Sequence, residues 1–282
     1  MKTICIYHSR DLDGWMSSAI VRLAFDKIDF LGWDYGNEIP DLSNYGQIVM
    51  VDISLPKEVM QSIAIKLIWI DHHISAIKDS EAGLYKLVTG LRDDKFAACE
   101  LTWNYFFPES DMPELVRLLG RYDCFGHKGT EEELKVLEFQ YGARQAIGNS
   151  DEAYTTLMIA RGRGDWTFDL DLCDDIHLQG KAIYKYLCTE AKQTYSKKFT
   201  VMFDTYKFAM VNQERFNPIN FGIDYHKDGY DGFACSWYQK GNWMYSLYND
   251  NGLIDCSDIC KSRGGGGHKG AAGFQSDKFL TE

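Results

Sequence analysis

The sequence lacks two features that would each point to a particular class of protein. A bilayer span needs about 20 predominantly apolar residues, and no apolar run in the 282 residues approaches that length. The eight cysteines form no C-x-x-C pair, and the nearest two, Cys256 and Cys260, stand four residues apart. We therefore expect reduced thiols in a protein core, with neither disulfides nor a zinc site. No signal-peptide pattern follows Met1, so we expect a cytoplasmic protein with no membrane partner.

Basic residues are also outnumbered by acidic ones. The chain has 30 Lys and Arg against 41 Asp and Glu, which gives a formal net charge of −11. Binding a long duplex requires many contacts between basic side chains and phosphates, so this charge argues against long nucleic acid as a partner. The charge does not exclude a small phosphate ester as the substrate, because bound divalent cations can reverse the electric field inside one acidic pocket. The sequence leaves the oligomeric state open, with a homodimer among the options.

Strands alternate with helices over the first 75 or so residues. This pattern is typical of an α/β domain with a parallel sheet and helices on both faces. The predicted strands are 3–8, 28–33, 47–53 and 66–71, and the predicted helices are 15–27 and 56–65.

The remainder of the chain changes character twice. Residues from about 96 to 200 are mostly of helical pattern and end in a long helix that reaches about residue 198. Short strands then follow, joined by turns such as 240–242 and 249–252. The sequence thus predicts a first domain over 1–198, which includes the long helix as a connector, and a smaller α/β domain over 206–282.

Imidazole and carboxylate side chains lie at or just after the ends of three of the predicted strands. They are His8, Asp11 and Asp13 at the first strand, Asp52 at the third, and Asp71, His72 and His73 at the fourth. Ligands of open α/β sheets gather at the carboxyl ends of the strands, so these side chains are expected to converge. Aspartate with neutral imidazole suits Mn²⁺ or Mg²⁺ better than Zn²⁺. Two such ions ~3.5–4 Å apart form a recognised centre for phosphoester hydrolysis.

A run of glycines near the C-terminal end offers a second candidate site. Gly264, Gly265, Gly266 and Gly267 could let the backbone approach a phosphate closely and direct N–H groups at it. Arg263 and His268 bracket the run and can supply charge-assisted hydrogen bonds. The alternative is a surface loop.

Together these motifs resemble the DHH phosphoesterase superfamily. The resemblance rests, in chain order, on 8–14 (His-Ser-Arg-Asp-Leu-Asp-Gly), Val51-Asp52, Asp71-His72-His73 and Tyr122-Asp123. The segment 264–274 looks like the glycine-rich signature of the DHH-associated domain, which accompanies the catalytic domain in that superfamily.

The resemblance implies two Mn²⁺ ions, with Mg²⁺ as the alternative. It implies that His8, Asp11 and Asp52 hold one ion, that Asp13, Asp52, His72 and Asp123 hold the other, and that Asp52 bridges them. It also implies that His73 meets the substrate phosphate and that Asp71 supports it. Other acids before Asp123 could take its place, namely Asp93, Asp94, Glu100 and Asp111.

The function expected from this resemblance is a two-metal phosphodiesterase. It would cut short oligonucleotides to mononucleotides as an exonuclease, like nano-RNases and oligoribonucleases, with Arg263, the four glycines and His268 binding substrate. The alternatives are hydrolysis of cyclic dinucleotides and removal of the 3′-phosphate from adenosine 3′,5′-bisphosphate. A non-catalytic nucleotide-binding module is a further alternative, but it would be expected to have lost metal ligands.

Overall fold

The chain folds into two compact units, residues 1–183 and 184–282. The computed structural model describes residues 2–79, 88–214 and 216–280. The α/β fold class expected from the sequence is confirmed, with a parallel sheet in the first unit and a second sheet in the other. Across the described residues, no helix is both long and apolar enough to cross a membrane.

A four-stranded parallel sheet forms the centre of the first unit. Its strands are β1 (Thr3–His8), β2 (Asp29–Trp33), β3 (Gln47–Val51) and β4 (Leu67–Ile70). They are arranged in the order β2-β1-β3-β4, so β1 and β3 are central and all four carboxyl ends lie along one edge.

Helices cover both faces of this sheet. The helices up to residue 196 are α1 (Leu12–Ala24), α2 (Lys57–Ile63), α3 (Ile74–Asp79), α4 (Ala98–Phe106), α5 (Glu114–Asp123), α6 (Glu133–Ala146), α7 (Ser150–Arg161) and α8 (Asp169–Ser196). Of these, α1, α2 and α4 pack on the strands, whereas α5, α6, α7 and the start of α8 pack in a separate cluster with α1 and α4. Successive side chains of a strand point to opposite faces. Ile6 of β1 accordingly packs in one cluster with Met60 of α2, whereas Cys5 packs on the other face with Val21 of α1 and Leu101 of α4.

The first helix begins earlier than the sequence pattern suggests. We expected it over 15–27, but α1 covers Leu12–Ala24 because Asp11 caps it: the Asp11 side chain accepts a hydrogen bond from the Gly14 N–H (3.0 Å). The helix therefore starts four residues after the end of β1. Asp13 is thereby placed in the first turn of a helix rather than in a loop.

The second unit is built on a mixed six-stranded sheet of order β5-β6-β7-β8-β10-β9. The strands are β5 (Phe199–Phe203), β6 (Tyr206–Asn212), β7 (Gly232–Gln239), β8 (Asn242–Tyr248), β9 (Gly266–Gly267) and β10 (Ala271–Ser276), and the helix α9 spans Cys256–Lys261. Only the β6–β7 pair is parallel among these neighbours. The last two strands bring the glycine run into the sheet.

Two glycines allow α6 and α8 to pack backbone against backbone. A Cβ atom added to Gly180 would overlap the carbonyl oxygen of Glu138, and one added to Gly142 would overlap that of Ile176. Moving either helix away would disrupt a buried cluster, because Phe139 of α6 and Ile176 of α8 both belong to it. The crossing therefore requires hydrogen at both positions.

Gly180→Ala is expected to lower the free energy of unfolding by about 1–3 kcal/mol, as overpacked cores do. The loss arises despite the higher helix propensity of alanine, which by itself would stabilise an exposed helix by up to ~1 kcal/mol. Urea denaturation followed by circular dichroism measures the change. Lys181→Ala is the matched control, because Lys181 is exposed on the same helix. Equal stability of Gly180→Ala and the wild-type protein would contradict the close crossing.

Candidate metal centre

The carboxyl ends of three neighbouring strands bring the predicted site residues together. His8 is the last residue of β1, Asp52 directly follows β3, and Asp71 directly follows β4. The first turn of α1 adds Asp13 and lies close against the end of β1. A Cβ atom added to Gly14 would overlap the His8 carbonyl oxygen. Glycine at this position thus lets the helix carry its aspartate up to the strand ends.

Asp52 lies at the centre of this group. Its two carboxylate oxygens face different histidines, with Oδ2 at 3.4 Å from His8 Nδ1 and Oδ1 at 3.3 Å from His72 Nε2. The residue is 1% exposed, and neither oxygen has a well-aligned hydrogen-bond donor among the described residues. Its backbone adopts φ +58°, a conformation that non-glycine residues seldom take. A buried carboxylate in this condition is costly unless a cation offsets it.

Two groups of potential ligand atoms lie on either side of the Asp52 carboxylate. The first includes Asp52 itself with His8 and Asp11, and His8 Nδ1 lies 2.7 Å from Asp11 Oδ2. The second contains Asp13, His72 and Asp123, with His72 Nε2 at 3.6 Å from Asp13 Oδ2 and 3.2 Å from Asp123 Oδ2. Within each group the potential ligand atoms lie within 4.8 Å of one another. These sets of oxygen and nitrogen donors suit Mn²⁺ or Mg²⁺.

A helix N-terminus holds Asp13 in place. Its two oxygens accept hydrogen bonds from the backbone N–H groups of Ala98 (2.9 Å) and Cys99 (2.7 Å) at the start of α4. The residue at the helix cap, Ala97, has no side-chain acceptor, so Asp13 supplies the cap from a distant part of the chain. The helix dipole also favours a negative charge at this end. Asp13 is thus both a structural cap and a member of the acidic group.

The Asp71 carboxylate orients His73. Asp71 is completely buried and accepts hydrogen bonds from the backbone N–H groups of His72 (2.8 Å) and His73 (3.2 Å) and from the indole of Trp69 (3.2 Å). The same carboxylate lies 2.7 Å from His73 Nδ1. Because a carboxylate only accepts, Nδ1 carries the proton and Nε2 is directed away from Asp71. His73 also forms a possible ligand group with Asp52 and His72. Its position is therefore compatible with binding a metal ion and with contacting a substrate phosphate.

Crowding of buried carboxylates shifts their protonation. Burial and the charge of Asp52 raise the pKa of Asp13 to about 7, and burial and the charge of Asp13 raise that of Asp123 to about 7. Burial disfavours the charged imidazole of His72, but Asp52, Asp13 and Asp123 outweigh it and raise its pKa to about 11. The cluster therefore retains protons to offset its negative charge. Divalent cations can take over that task, and their binding would release the protons.

Asp34 is a neighbour of the cluster that the sequence reasoning missed. It follows β2, is 8% exposed, and its carboxylate lies 3.6 Å from His8 Nε2. It also forms an ion pair with Arg10. Its position could have been predicted, because Asp34 directly follows the predicted strand 28–33. In a parallel sheet the carboxyl end of that strand lies at the same edge as the end of β1. Asp34 can orient His8 from the side opposite Asp11 and Asp52.

Among the acids considered for the fourth motif, only Asp123 lies in a ligand group of the described residues. Glu100 instead accepts a hydrogen bond from the Ala97 N–H (3.0 Å), and Asp93 accepts one from the Lys95 N–H (2.9 Å). Asp123 is the last residue of α5. The structure thus places the acid from the Tyr122-Asp123 motif next to His72.

The predicted substrate-binding residues of the second unit are already engaged with their own surroundings. Arg263 donates to the carbonyl of Ile259 (2.9 Å) and pairs with Asp204 (2.9 Å). The N–H groups of Gly264 and Gly265 donate to carbonyls at the end of α9. His268 is exposed.

The glycine run also has a structural reason of its own. A Cβ atom added to Gly265 would overlap the carbonyl oxygen of Gly273, and Gly267 has φ +140°. Gly266 and Gly267 pair with β10 as the short strand β9. The N–H groups of Gly264 and Gly265, which donate to carbonyls of α9, are unavailable to a phosphate. Binding of substrate by Arg263, the glycines and His268 stays a prediction.

Asp52→Asn should abolish tight binding of Mn²⁺ at both groups. The amide keeps the size of the side chain but removes the negative charge that the two groups share. Loss of an outer-shell partner already costs ~10–100-fold in metal affinity, so a larger loss is expected here. Isothermal titration calorimetry of the metal-free protein measures affinity and stoichiometry. Asp41→Asn, which changes an exposed aspartate, is the control. Unchanged Mn²⁺ affinity in Asp52→Asn would rule out a shared ligand.

Comparison with solved structures finds this fold elsewhere. The chain resembles the pGpG-specific phosphodiesterase PggH from Vibrio cholerae (TM-score 0.52, 13% identity, 98% of this chain and 93% of the other). It also resembles an exopolyphosphatase-related protein from Bacteroides fragilis (TM-score 0.51, 14% identity, 99% and 88%). The DHH domain of a member of a ribosomal protein family is similar too (TM-score 0.57, 14% identity, 96% and 82%). At these identities the likeness concerns the fold.

Sequence comparison finds a family match for the N-terminal part of the chain. No curated protein matches the chain significantly in sequence. Residues 3–121, however, match the DHH family, N-terminal domain, and this segment contains every site residue from His8 to His73. The expected resemblance is confirmed at this level, whereas the match does not reach the segment 264–274. Residues 3–121 are therefore similar to the N-terminal domain of the DHH family, whose members are metal-dependent phosphoesterases.

Proposed function

We propose that this chain is a two-metal phosphodiesterase that hydrolyses short oligonucleotides to mononucleotides from one end. The observation that carries the proposal is the position of Asp52. Its two buried oxygens face two separate groups of ligand atoms and have no well-aligned hydrogen-bond donor among the described residues. A carboxylate with these properties fits a ligand shared between two cations.

The two ligand groups would each hold one cation. His8 and Asp11 would complete one site with Asp52, and Asp13, His72 and Asp123 would complete the other. The donor set favours Mn²⁺, with Mg²⁺ as the alternative. When bound, such ions offset negative charge on the phosphate and favour formation of a nucleophile from water at neutral pH.

His73 and Asp71 would act on the substrate itself. Asp71 fixes the His73 ring through Nδ1 (2.7 Å), so Nε2 is the atom that can face a phosphate oxygen. A histidine held in one orientation can donate a hydrogen bond to that oxygen or a proton to the leaving group. Asp71 is a positioning residue in this scheme, since it contacts His73 and not the reacting atoms.

Three considerations support a short nucleotide as the substrate. The net charge of −11 disfavours long nucleic acid, whose binding needs many basic contacts. A protein of similar fold, PggH, is specific for pGpG, which is a dinucleotide. In the second unit, Arg263 would contribute a charged contact to a phosphate, together with Gly264, Gly265, Gly266, Gly267 and His268.

A panel of substrates tests the activity. With Mn²⁺, we expect the fastest release of mononucleotides from oligomers of two to five nucleotides, followed by slower cutting of longer RNA and DNA. Cyclic dinucleotides, adenosine 3′,5′-bisphosphate, pyrophosphate and polyphosphate complete the panel, and chromatography of the products measures each rate. The Asp52→Asn variant supplies the background.

Each other result of the panel has a definite meaning. Preferred cleavage of cyclic dinucleotides or of adenosine bisphosphate would replace the oligonucleotide proposal with the corresponding alternative. If the protein hydrolyses no member of the panel, it is a binding module and the proposed activity is wrong.

Arg263→Ala should reduce kcat/KM for a dinucleotide by roughly 10–100-fold, the value of one charge-assisted hydrogen bond. The reduction should appear mainly in KM, and Mn²⁺ binding should be unchanged. Asp204→Ala is the control, because it removes the ion-pair partner and leaves the guanidinium in place. If Asp204→Ala lowers kcat/KM as much as Arg263→Ala does, Arg263 has a structural role and does not bind substrate.

A further inference from the structure

A cavity of about 420 Å³ lies in the first unit, next to the proposed metal centre. It is lined by Trp33 at the end of β2, by Tyr35 and Ser54, which follow β2 and β3, and by Trp69 of β4. Small-molecule sites are typically concave, mostly apolar and ~300–1,000 Å³ in volume. The cavity is therefore larger than one phosphate group requires, and it is large enough to hold an aromatic ring such as a nucleobase together with its sugar.

Tyr35 gives this cavity an aromatic wall that the protein holds in place. Its ring packs edge to face against Trp33, with 5.7 Å between the ring centroids. Trp33 is 4% exposed, and its indole donates to the carbonyl of Glu38 (2.9 Å), which ties down the turn that carries Tyr35. Tyr35 itself is 53% exposed. An exposed aromatic ring supported from behind is suited to stacking on a planar ligand.

Polar groups on the same walls can recognise such a ligand. Asn37 offers an amide with both donor and acceptor atoms, and Ser54 offers a hydroxyl. Lys57 is exposed and adds a positive charge to the lining. Apolar walls with a few polar groups suit a nucleobase, whose faces are apolar and whose edges form hydrogen bonds.

The cavity and the metal centre share the same short segments. Asp34, which lies between Trp33 and Tyr35, approaches His8 Nε2 at 3.6 Å. Ser54 stands two residues after Asp52. The Trp69 indole donates to the Asp71 carboxylate (3.2 Å). A ligand in the cavity thus lies beside the segments that carry Asp52, a proposed metal ligand, and Asp71, which positions His73.

We propose that this cavity binds the base and sugar of the nucleotide next to the phosphate that is cut, with the base stacked on Tyr35 and Lys57 directed at a phosphate. The inference rests on the proposed function, since it treats the neighbouring cluster as the place where a nucleotide phosphate binds. It makes Tyr35 a specificity-determining residue that distinguishes nucleotides from other phosphoesters.

Binding of products tests the site without any turnover. Isothermal titration calorimetry of the Mn²⁺-loaded protein would compare GMP and AMP with ribose 5-phosphate, which carries the same sugar and phosphate but no base. We expect at least one nucleotide to bind about tenfold or more tightly than ribose 5-phosphate, as base stacking allows. Tyr35→Ala should remove this advantage and leave ribose 5-phosphate binding unchanged. Equal binding of all three compounds by the wild-type protein would overturn the proposal.

Two further variants define the role of the ring. Tyr35→Phe keeps the stacking surface and should retain nucleotide binding within about twofold. Tyr186→Ala removes a similarly exposed tyrosine (63%) from α8 and should have no effect. Nucleotide binding that is equally tight in Tyr35→Ala and in the wild-type protein would overturn the assignment.

Turnover then separates this inference from the proposed function. Binding of GMP or AMP that depends on Tyr35, without hydrolysis of any phosphodiester, would support the base site and refute the proposed activity. Hydrolysis of dinucleotides with the same KM in Tyr35→Ala and the wild-type protein would support the activity and refute the base site.

Discussion

The buried negative charge of Asp52 is the constraint on which the arrangement of the first unit depends. A carboxylate that is 1% exposed loses most of its hydration, and the nearby Asp13 and Asp11 add repulsion. In the protein without cations, two histidines at 3.3–3.4 Å supply the compensating positive charge. A pair of divalent ions would supply more. The same acidic cluster is thus unfavourable as a packed core and favourable as a cation site.

The fold meets this constraint by bringing rigid elements to one place. Strands β1, β3 and β4 present their ends side by side, and the N-terminus of α4 faces the site with backbone N–H groups that hold Asp13. Asp71 plays the same part for His73 through a carboxylate that four donors surround. Groups fixed on strands and helix ends need little reorganisation when charge develops near them, which is a general requirement of catalytic sites.

The local pattern of the sequence predicted which side chains at the strand ends come together, and long-range contacts account for what it missed. Strands 3–8, 47–53 and 66–71 were recognisable from their apolar runs, and parallel pairing brought their terminal residues together as expected. The cap that Asp13 provides for α4 joins residues 85 positions apart, so no short window contains it. Asp34 was missed although its position after β2 was informative. In the glycine run, the sequence suggested a phosphate cradle, whereas packing against Gly273 and bonds to the end of α9 occupy part of that backbone.

The left-handed backbone at Asp52 links function to folding stability. Residues other than glycine adopt a φ of +58° with some strain, although asparagine and aspartate tolerate this region better than most. An uncharged residue there would also relieve the desolvation of a buried carboxylate. The native residue is therefore a poor choice for the stability of the chain without cations. If Asp52 binds cations as we propose, this residue trades local stability for function, and cation binding would recover part of the lost stability by mass action.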